Sequence, residues 1–441
     1  MKNSDENTIN IGLIGLGYVG TGVFRLIESQ KNYITQKTGK VLRILKVAEK
    51  DIAGKAAPLI KTYRDKITFT DNADEIINDR EIDIVVELVG GIEPACDYVI
   101  RSLNKGKYVV TANKDLIANR GESLFKAAEE NNVDILFEAS VGGGIPIIGP
   151  MKTSLAANNI NKIVGIVNGT TNYILTRMRK DELSFEDALK IAQELGFAEK
   201  VNPSADIEGS DAACKLAILS SIAFNSRVTF KDVYKEGIKM VTLDDIRFAD
   251  DLGYTIKLLA IGSNEENSVC VRVHPALVPK DHILSSINYA NNAVCLYGNF
   301  VGEVMSYGLG AGDRPTASSV VGDVIQVAKN LDRHRKKPVF GCTCFIHKEI
   351  KPIEEIDNKF YALVEVKDQP GVLAKIASVF GKNNVSIESM IQKQTTESGS
   401  ARIVFITHRV LNKNMNKSVR EISKLDVVSK VLNIIRVEDL D

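Results

Sequence analysis

Apolar and polar positions alternate along the first third of the chain in blocks that predict strands separated by helices. Short apolar runs end in small or polar residues in IDIVVELVGG, KYVVTANKD and VDILFEAS, and the segment near 94–105 has helical periodicity. Buried strands that alternate with helices form parallel sheets covered on both faces. The pattern therefore predicts an α/β fold with a parallel, doubly wound sheet.

Small or polar residues follow the ends of these predicted strands. In doubly wound sheets, ligands bind beyond the carboxyl ends of the strands. The residues that this rule places around one crevice are Gly90, Gly91, Thr111, Asn113, Lys114 and Ser140. Lys114 is either a surface lysine or a functional cation at this position.

The opening segment INIGLIGLGYVGTGVFRLI contains a glycine motif between a predicted strand and a predicted helix. Gly15, Gly17 and Gly20 fit the GxGxxG pattern, in which glycines allow a tight turn and close approach to a pyrophosphate. The pattern predicts a Rossmann-like dinucleotide-binding domain. The next predicted strand ends in Glu49 and Lys50. Glu49 would bind a ribose hydroxyl of NAD, whereas Lys50 could accept the 2′-phosphate of NADP, so the choice stays open.

The pattern changes after EASVGGGIPI, where a strand, a glycine turn and several helices are predicted. We interpret this region as a substrate domain. Its densest polar cluster comprises Glu199, Asp206, Glu208, Asp211 and Lys215. A small substrate with an ammonium and a carboxylate would suit these charges. Asp211 and Lys215 are four residues apart, which is also the spacing of ordinary surface ion pairs on helices.

The end of the chain predicts a separate small domain. Prolines and charged residues over 333–358 predict a linker, and the elements after it follow the order βαββαβ. This order is typical of ferredoxin-like domains.

Composition restricts the partners and the compartment. Lys plus Arg and Asp plus Glu both number 56, so we expect neither a nucleic acid nor a membrane as a partner. The first residues lack the apolar core of a secretory signal, which favours a cytoplasmic protein. Cys342, Cys344 and His347 are close enough in sequence to share a metal, but no second ligand pair accompanies them. We therefore expect a buried strand with small thiols there.

Several motifs together make the chain resemble the homoserine dehydrogenases that carry a C-terminal ACT domain. They are GLGYVGTGV, ELVGG, TANK, EASVGGGIPI, NGTTNYIL, GFAE, DIEGSDAACKLAIL and GLGAGDRPTASSVVGD, in this order. The family interconverts aspartate semialdehyde and homoserine with NAD or NADP, on the pathway to threonine and methionine. One departure is GFAEKVNP: the family usually has an acid and a proline soon after GFAE, whereas this chain has Asn202 before the proline and one apparent additional residue.

The resemblance implies a role for individual residues. Lys215 would transfer the proton, Asp211 would hold Lys215, and Lys114 would assist as a second cation. Glu199, Asp206 and Thr170 would bind the substrate. The implied cofactor residues are Gly15, Gly17, Tyr18, Val19, Gly20, Lys50, Gly90, Thr111, Asn113, Lys114, Gly310, Gly312 and Thr316. The implied site for a monovalent cation such as Na⁺ comprises Glu138, Val141, Gly143 and Ile145, and the implied regulatory site comprises Asp368, Gly371 and Asn384.

Hydride chemistry agrees with a catalytic lysine. Hydride addition to an aldehyde builds negative charge on its oxygen, which requires a nearby cation or acid. The motifs contain no histidine, so lysine is the remaining candidate.

The resemblance also implies the domain order. We expect a dinucleotide-binding domain at 1–137 to which 305–332 return, an α+β substrate and dimerisation domain at 138–304, and an ACT regulatory domain at 359–441. We expect threonine as the effector and a homodimer or homotetramer. The alternatives are another NAD(P)-dependent amino-acid dehydrogenase and a non-catalytic amino-acid sensor.

Overall fold

The structure is a computed structural model that describes residues 7–51, 57–331, 338–395 and 400–440. The chain divides into two compact units, each assembled from three separate stretches of sequence. The first unit comprises residues 1–161, 217–231 and 294–347, and the second comprises residues 162–216, 232–293 and 348–441. The domain borders expected from the sequence stay a prediction. The predicted linker begins at residue 333, and residues 333–337 lie outside the described part of the chain.

The N-terminal third alternates strands and helices. In chain order its elements are β1 (Thr8–Ile14), α1 (Tyr18–Ser29), α2 (Lys31–Thr38), β2 (Val41–Ala48), α3 (Ala57–Tyr63), β3 (Thr68–Thr70), α4 (Asp74–Ile77), β4 (Ile84–Glu87), α5 (Ala95–Asn104), β5 (Tyr108–Thr111), α6 (Lys114–Glu130), β6 (Ile135–Leu136) and α7 (Ile148–Lys152).

The middle of the chain contains longer strands. Its elements are β7 (Ile160–Ile166), α8 (Gly169–Lys180), α9 (Phe185–Glu194), α10 (Ser204–Ile207), α11 (Ser210–Ala223), β8 (Tyr234–Lys235), α12 (Leu243–Asp251), β9 (Tyr254–Asn264), β10 (Ser268–Pro279), β11 (Asn291–Gly298), β12 (Gly302–Leu309) and α13 (Asp313–Asn330).

The C-terminal part follows the predicted ferredoxin-like order. Its elements are β13 (Glu349–Ile350), β14 (Asp357–Lys367), α14 (Val372–Lys382), β15 (Ile387–Thr395), β16 (Ser400–Thr407), β17 (Val410–Leu411), α15 (Asn412–Ile422) and β18 (Val428–Val437). Its core packs around Phe360, Phe380 and Phe405. The rings of Phe380 and Phe405 meet edge to face, with centroids 5.5 Å apart.

The first unit contains the parallel sheet that the sequence predicts. Its strand order is β3-β2-β1-β4-β5-β6, and all neighbouring pairs are parallel. Every residue of β4 and β5 is buried because helices cover both faces of such a sheet. The predicted Rossmann-like fold is confirmed.

In the second unit, one sheet joins the substrate region to the C-terminal elements. Its strands follow the order β7-β9-β10-β18-β14-β16-β15. The joint is a short parallel pairing of β10 with β18, in which Ala276 lies opposite Arg436 and Leu277 lies opposite Val437. The C-terminal strand therefore continues the sheet that carries β9 and β10, and the C-terminal elements do not form an isolated unit.

The prediction of a buried strand around the two neighbouring thiols is wrong. The segment 338–345 has no regular strand, Cys342 is exposed and Cys344 is half-buried. The described residues contain no group of three or more His, Cys, Asp or Glu that could hold a metal ion. A search of the same residues finds no helix that is both long and apolar enough to cross a bilayer.

Candidate active site

The glycine loop after β1 has the geometry of a phosphate-binding turn. Gly15 has a φ of +97°, and a Cβ added there would lie 2.8 Å from the carbonyl carbon and oxygen of Leu88. A Cβ at Gly20 would lie 2.1 Å from the carbonyl oxygen of Gly15, so helix α1 packs directly on the loop. Gly17 begins α1, and a Cβ there would meet no atom within 4 Å. The N-terminus of α1 is therefore open to an anion, which fits a dinucleotide pyrophosphate.

Tyr18 and Val19 form the first turn of this helix, and Tyr18 is exposed. Beside the loop lies a cleft of about 260 Å³ lined by Gly15, Gly17, Glu49 and Lys50, among others. The carboxylate of Glu49 accepts hydrogen bonds from the backbone N–H of Leu16 at 2.6 Å and of Asp51 at 3.1 Å. Glu49 therefore fixes the loop to the end of β2, and the exposed Lys50 lies beside it.

A buried carboxylate that the sequence analysis did not assign organises the next two strand ends. Glu87 is fully buried at the end of β4 and accepts hydrogen bonds from the backbone N–H of Val89 at 2.7 Å and the Thr111 hydroxyl at 2.7 Å. Asn113 donates to the Gly91 carbonyl at 2.6 Å. The predicted crevice residues Gly90, Gly91, Thr111 and Asn113 thus belong to one hydrogen-bonded group.

Lys114 begins helix α6, directly after its N-cap residue Asn113. Its ammonium lies 3.7 Å from the carboxylate of Asp115. Ser140, by contrast, is buried, and its hydroxyl donates to the Phe137 carbonyl at 2.7 Å.

Helix α13 returns to the dinucleotide-binding region within the first unit. A Cβ at Gly22 of α1 would lie 2.8 Å from the Asp313 carbonyl oxygen, so the two helices are in close contact. Gly312 caps α13 with a φ of +121°, and Thr316 donates from its backbone N–H to the Gly312 carbonyl at 3.1 Å. Gly310 contacts Gly143, where an added Cβ would lie 2.6 Å from the Gly310 carbonyl.

The segment predicted to bind a monovalent cation is a glycine-rich turn. The side chain of its acidic residue, Glu138, already accepts hydrogen bonds from the backbone. The Glu138 carboxylate accepts from the backbone N–H groups of Ile147 at 2.6 Å, Ile148 at 2.8 Å and Gly149 at 2.5 Å. Any contribution of Glu138 to a cation would therefore come from its backbone carbonyl. Val141 and Ile145 are buried, and Gly143 has a φ of +54°.

In the second unit, Lys215 and Asp211 form a close and largely buried ion pair on α11. The Lys215 ammonium lies 2.7 Å from the Asp211 carboxylate, and the two side chains are only 11% and 12% exposed. The same ammonium donates to the Val167 carbonyl at 2.8 Å. Two of the three N–H groups of Lys215 therefore have acceptors among the described residues. The directions of these two N–H groups also fix the direction of the third N–H group. This pair is not an ordinary surface ion pair.

Asn168 links the two aspartates of this site, a role that the sequence analysis did not assign. Its amide donates to Asp206 at 2.7 Å and to Asp211 at 2.8 Å. Its oxygen accepts from the backbone N–H of Thr171 and so caps α8. Burial, followed by the nearby charge of Asp211, raises the pKa of Asp206. Asn168 therefore holds two carboxylates that would otherwise repel each other.

The other predicted substrate residues lie around the same helices. The Thr170 hydroxyl donates to the Phe197 carbonyl at 2.6 Å. Glu199 is exposed in the segment between α9 and α10, and its backbone carbonyl accepts from the Gln193 amide at 3.0 Å. Glu208 is also exposed.

The three predicted regulatory residues lie at turns of the ferredoxin-like part. Asp368 and Gly371 lie between β14 and α14, and Gly371 caps α14 with a φ of +89°. Asn384 lies between α14 and β15 and has a φ of +57°. All three are exposed, but Asp368 and Gly371 precede α14 whereas Asn384 follows it, so the three residues lie at opposite ends of this helix.

Comparisons with known proteins identify the family. Residues 15–138 match the model described as the homoserine dehydrogenase NAD-binding domain, residues 146–325 match homoserine dehydrogenase, and residues 360–427 match the ACT domain. The chain is 41% identical over 438 residues to the homoserine dehydrogenase of Synechocystis, covering 98% of this chain and 99% of the relative. The chain belongs to the homoserine dehydrogenase family. It is an oxidoreductase of this type with a nicotinamide cofactor and a C-terminal ACT domain.

Solved structures of homoserine dehydrogenases agree with this assignment. The enzyme from Thiobacillus denitrificans is 41% identical, has a TM-score of 0.92, and the match covers 98% of this chain and 99% of that chain. A hyperthermophilic archaeal homoserine dehydrogenase in complex with NADPH is 28% identical, with a TM-score of 0.63. Its match covers 74% of this chain and 100% of that chain. The similarity to the Synechocystis and Thiobacillus denitrificans enzymes over 98% of this chain favours the predicted activity over the two alternatives.

Proposed function

We propose that Lys215 transfers the proton when this homoserine dehydrogenase interconverts aspartate semialdehyde and homoserine. The observation that carries the proposal is the buried cluster in which Asp211 and the Val167 carbonyl hold the Lys215 ammonium. Asn168 and Asp206 complete this cluster. A fixed ammonium in a largely dehydrated site is well suited to stabilise charge that develops on a substrate oxygen.

The nicotinamide cofactor, when bound, supplies or accepts the hydride at the reacting carbon. In the reducing direction, Lys215 donates a proton to the carbonyl oxygen as negative charge builds on it. In the oxidising direction, neutral Lys215 accepts the proton of the hydroxyl group. Asp211 orients the lysine in both directions. Lys114, at the N-terminus of α6, stays a proposed second cation of the reaction.

The acids near Lys215 also suit the other end of an amino-acid substrate. Asp206 and Glu199 would bind the substrate ammonium, and Thr170 would complete the polar surface. The exposure of Glu199 is compatible with a side chain that is available to a ligand.

We expect Glu199→Gln to raise the KM for homoserine about tenfold while leaving kcat nearly unchanged. A carboxylate that faces an ammonium makes a charge-assisted hydrogen bond, worth about 1.5 to 3 kcal/mol when it is removed. Initial rates over a range of homoserine concentrations measure both constants. Glu194→Gln, an exposed acid at the end of α9, is the matched control. An unchanged KM in Glu199→Gln would contradict the assignment.

We propose NADP rather than NAD as the preferred cofactor. Glu49 already accepts two backbone hydrogen bonds that fix the glycine loop, whereas the exposed Lys50 lines the cleft beside it. A lysine at this position can bind a 2′-phosphate. The archaeal homoserine dehydrogenase similar to this chain was solved with NADPH, which supports the same choice.

The enzyme should therefore oxidise homoserine with a higher kcat/KM for NADP⁺ than for NAD⁺, and Lys50→Gln should lower only the NADP⁺ value. We expect a decrease of about tenfold, because the substitution removes one charge-assisted contact. The assay follows the nicotinamide absorbance, with Lys31→Gln as a control for an exposed lysine outside the cleft. No oxidation of homoserine with either cofactor would contradict the proposed function itself.

We propose that the carbonyl groups of Glu138, Val141, Gly143 and Ile145 bind a monovalent cation such as Na⁺. Positive φ angles at Gly142 and Gly143 turn the backbone sharply within this segment. Carbonyl oxygens are the ligands that hard cations prefer.

We propose that the ACT domain binds an amino acid, with threonine as the first candidate, and lowers the activity when it is occupied. Two features support this role. The turns around Gly371 and Asn384 are exposed, and β18 of the ACT domain pairs with β10 inside the second unit. The same unit contains Asp206, Asp211 and Lys215. A change in the ACT sheet can therefore reach the proposed catalytic lysine through contacts within one unit.

A further inference from the structure

Two cysteines outside the proposed active site lie in a loop whose beginning is well fixed within the first unit. The backbone N–H groups of Val339 and Phe340 donate to the Asp134 carboxylate at 3.1 and 2.6 Å. The Lys152 ammonium donates to the carbonyls of Phe340 and Gly341 at 3.2 and 3.3 Å. The loop therefore presents the next residue, Cys342, in a defined position.

Cys342 is exposed, and two groups donate to its sulfur. Arg227 donates to it from its guanidinium at 3.1 Å, and the backbone N–H of Cys344 lies 3.4 Å from it. A hydrogen bond from the Cys344 thiol and the charge of Arg227, with Lys152 contributing, lower the pKa of Cys342 to about 5 against the opposing effect of burial. The same hydrogen bond, together with burial, raises the pKa of Cys344. Both shifts favour a negative charge on Cys342 over one on Cys344.

Aromatic rings hold both cations in place. The Lys152 ammonium lies 5.4 Å from the ring centre of Phe125 and 5.1 Å from that of Phe137. The Arg227 guanidinium lies 5.7 Å from the ring centre of Phe125. Neither cation has a role in the proposed reaction. The remaining cysteines, which are Cys96, Cys214, Cys270 and Cys295, are all buried.

We propose that Cys342 is a peroxide-reactive thiolate and that Cys344 resolves its oxidised form into an intrachain disulfide. A thiolate that is exposed and close to fixed cations has the features of reactive cysteines. Cys344 lies two residues away in the same loop, and the hydrogen bond from its sulfur to the Ser221 carbonyl is long, at 3.6 Å.

The reaction requires only hydrogen peroxide. The Cys342 sulfur attacks one peroxide oxygen, the O–O bond breaks, and the leaving oxygen takes a proton to become water. The sulfur is thereby oxidised to a sulfenic acid. The Cys344 thiol then loses its proton, its sulfur attacks Cys342, and the departing hydroxide becomes the second water.

The loop can accommodate this bond. Residues two apart are separated by at most about 7 Å along the chain, and a disulfide joins Cα atoms about 4.4 to 6.8 Å apart. The Cys342 sulfur already accepts from the backbone N–H of Cys344 at 3.4 Å, and residues 338–345 have no strand pairing that would resist a small bend.

Alkylation of the native enzyme tests the thiolate. We expect iodoacetamide to modify Cys342 faster than any other cysteine, with a half-maximal rate well below pH 8.5, the pKa of an ordinary thiol. Arg227→Gln should slow the reaction at pH 6 and move the profile to higher pH. Arg247→Gln, which removes an exposed arginine elsewhere, is the control. An ordinary thiol profile for Cys342, or equal rates in both arginine variants, would overturn the proposal.

Hydrogen peroxide tests the resolving step. No Lys or Arg separates the two cysteines, so one tryptic peptide contains both, and the disulfide makes it lighter by two hydrogens. In Cys344→Ser, dimedone should trap the Cys342 sulfenic acid, and in Cys342→Ser neither product should form. Oxidation of another cysteine first, or no disulfide in the wild-type peptide, would overturn the proposal. These measurements need no turnover, so their outcome is independent of the proposed function.

Discussion

The Lys215→Met variant should lose most of its turnover while it still binds the nicotinamide cofactor. Removal of a positioned proton donor typically costs about a hundredfold to ten-thousandfold in rate. The Lys215 ammonium lies 2.7 Å from the Asp211 carboxylate, so this substitution removes the proposed proton donor from the site. Methionine retains much of the apolar stem and removes only the ammonium. The measurement is kcat in both directions, with cofactor binding followed by fluorescence.

The matched control is Lys190→Met, which removes an exposed lysine from α9 in the same unit. Its turnover should remain close to the wild-type value. The melting temperatures of both variants must be compared, because Lys215→Met leaves the Asp211 carboxylate with fewer partners in a largely buried position. Turnover of Lys215→Met within a few-fold of wild type would show that the lysine is not the proton donor.

Periodicity and glycine spacing were sufficient to predict the dinucleotide-binding fold. The strands β1, β4 and β5 are apolar along their length because both faces of the sheet are covered, and this pattern is visible in the sequence. Gly15 and Gly20 are glycines because a side chain at either position would collide with backbone, which the GxGxxG pattern already indicates. Local sequence rules therefore predict local geometry well.

The hydrogen bonds that hold the sites together could not be predicted in the same way. Asn168 stands 38 residues before Asp206 and 43 before Asp211, and only the fold brings its amide to both. The position of Glu87, an acid at the end of an apolar strand, was a weak indication of a functional role. Its partner Thr111 is 24 residues away in the sequence, so the hydrogen bond between them could not be predicted from local patterns. The thiols at 342 and 344 were misassigned because a short apolar run does not distinguish a buried strand from a loop that packs on other elements.

The position of the ACT domain also could not be predicted from local patterns, and it changes how regulation should be tested. Glu438, just after β18, is buried against Arg272 of β10, with the two charges 2.9 Å apart. Burial alone would raise the pKa of Glu438, but Arg272 and His274 lower it to about 2. Deletion of residues 359–441 would remove both this partner and the strand β18 that pairs with β10, so it would alter the second unit as well as any effector site. Point variants therefore test regulation better than truncation.

Arg436 provides a suitable position for such a variant. It lies on β18 and donates to the Glu236 carboxylate at 2.9 Å. Burial would raise the pKa of Glu236, but Arg436 beside it holds that pKa below its usual range. The backbone after Glu236 contacts α10, because Ile238 donates from its N–H to the Ile207 carbonyl at 2.8 Å. Helix α10 also contains Asp206, so a described chain of contacts connects the ACT sheet to a proposed substrate residue.

We therefore expect Arg436→Met to remove most of the coupling between threonine and homoserine while basal turnover stays close to wild type. In the wild-type enzyme, bound threonine should weaken homoserine binding about 5- to 150-fold, the usual range of allosteric coupling. In the variant this factor should approach one, although calorimetry should still detect threonine binding. Arg436→Lys should retain part of the coupling, because it keeps the charge but loses the second hydrogen-bonding arm.

Arg409→Met, an exposed ACT arginine 3.5 Å from Asp439, is the control and should couple like wild type. Equal coupling in Arg436→Met and wild type would exclude this contact as the connection. If neither threonine nor any other amino acid changes homoserine binding in the wild-type enzyme, the proposed sensing role of the ACT domain is wrong.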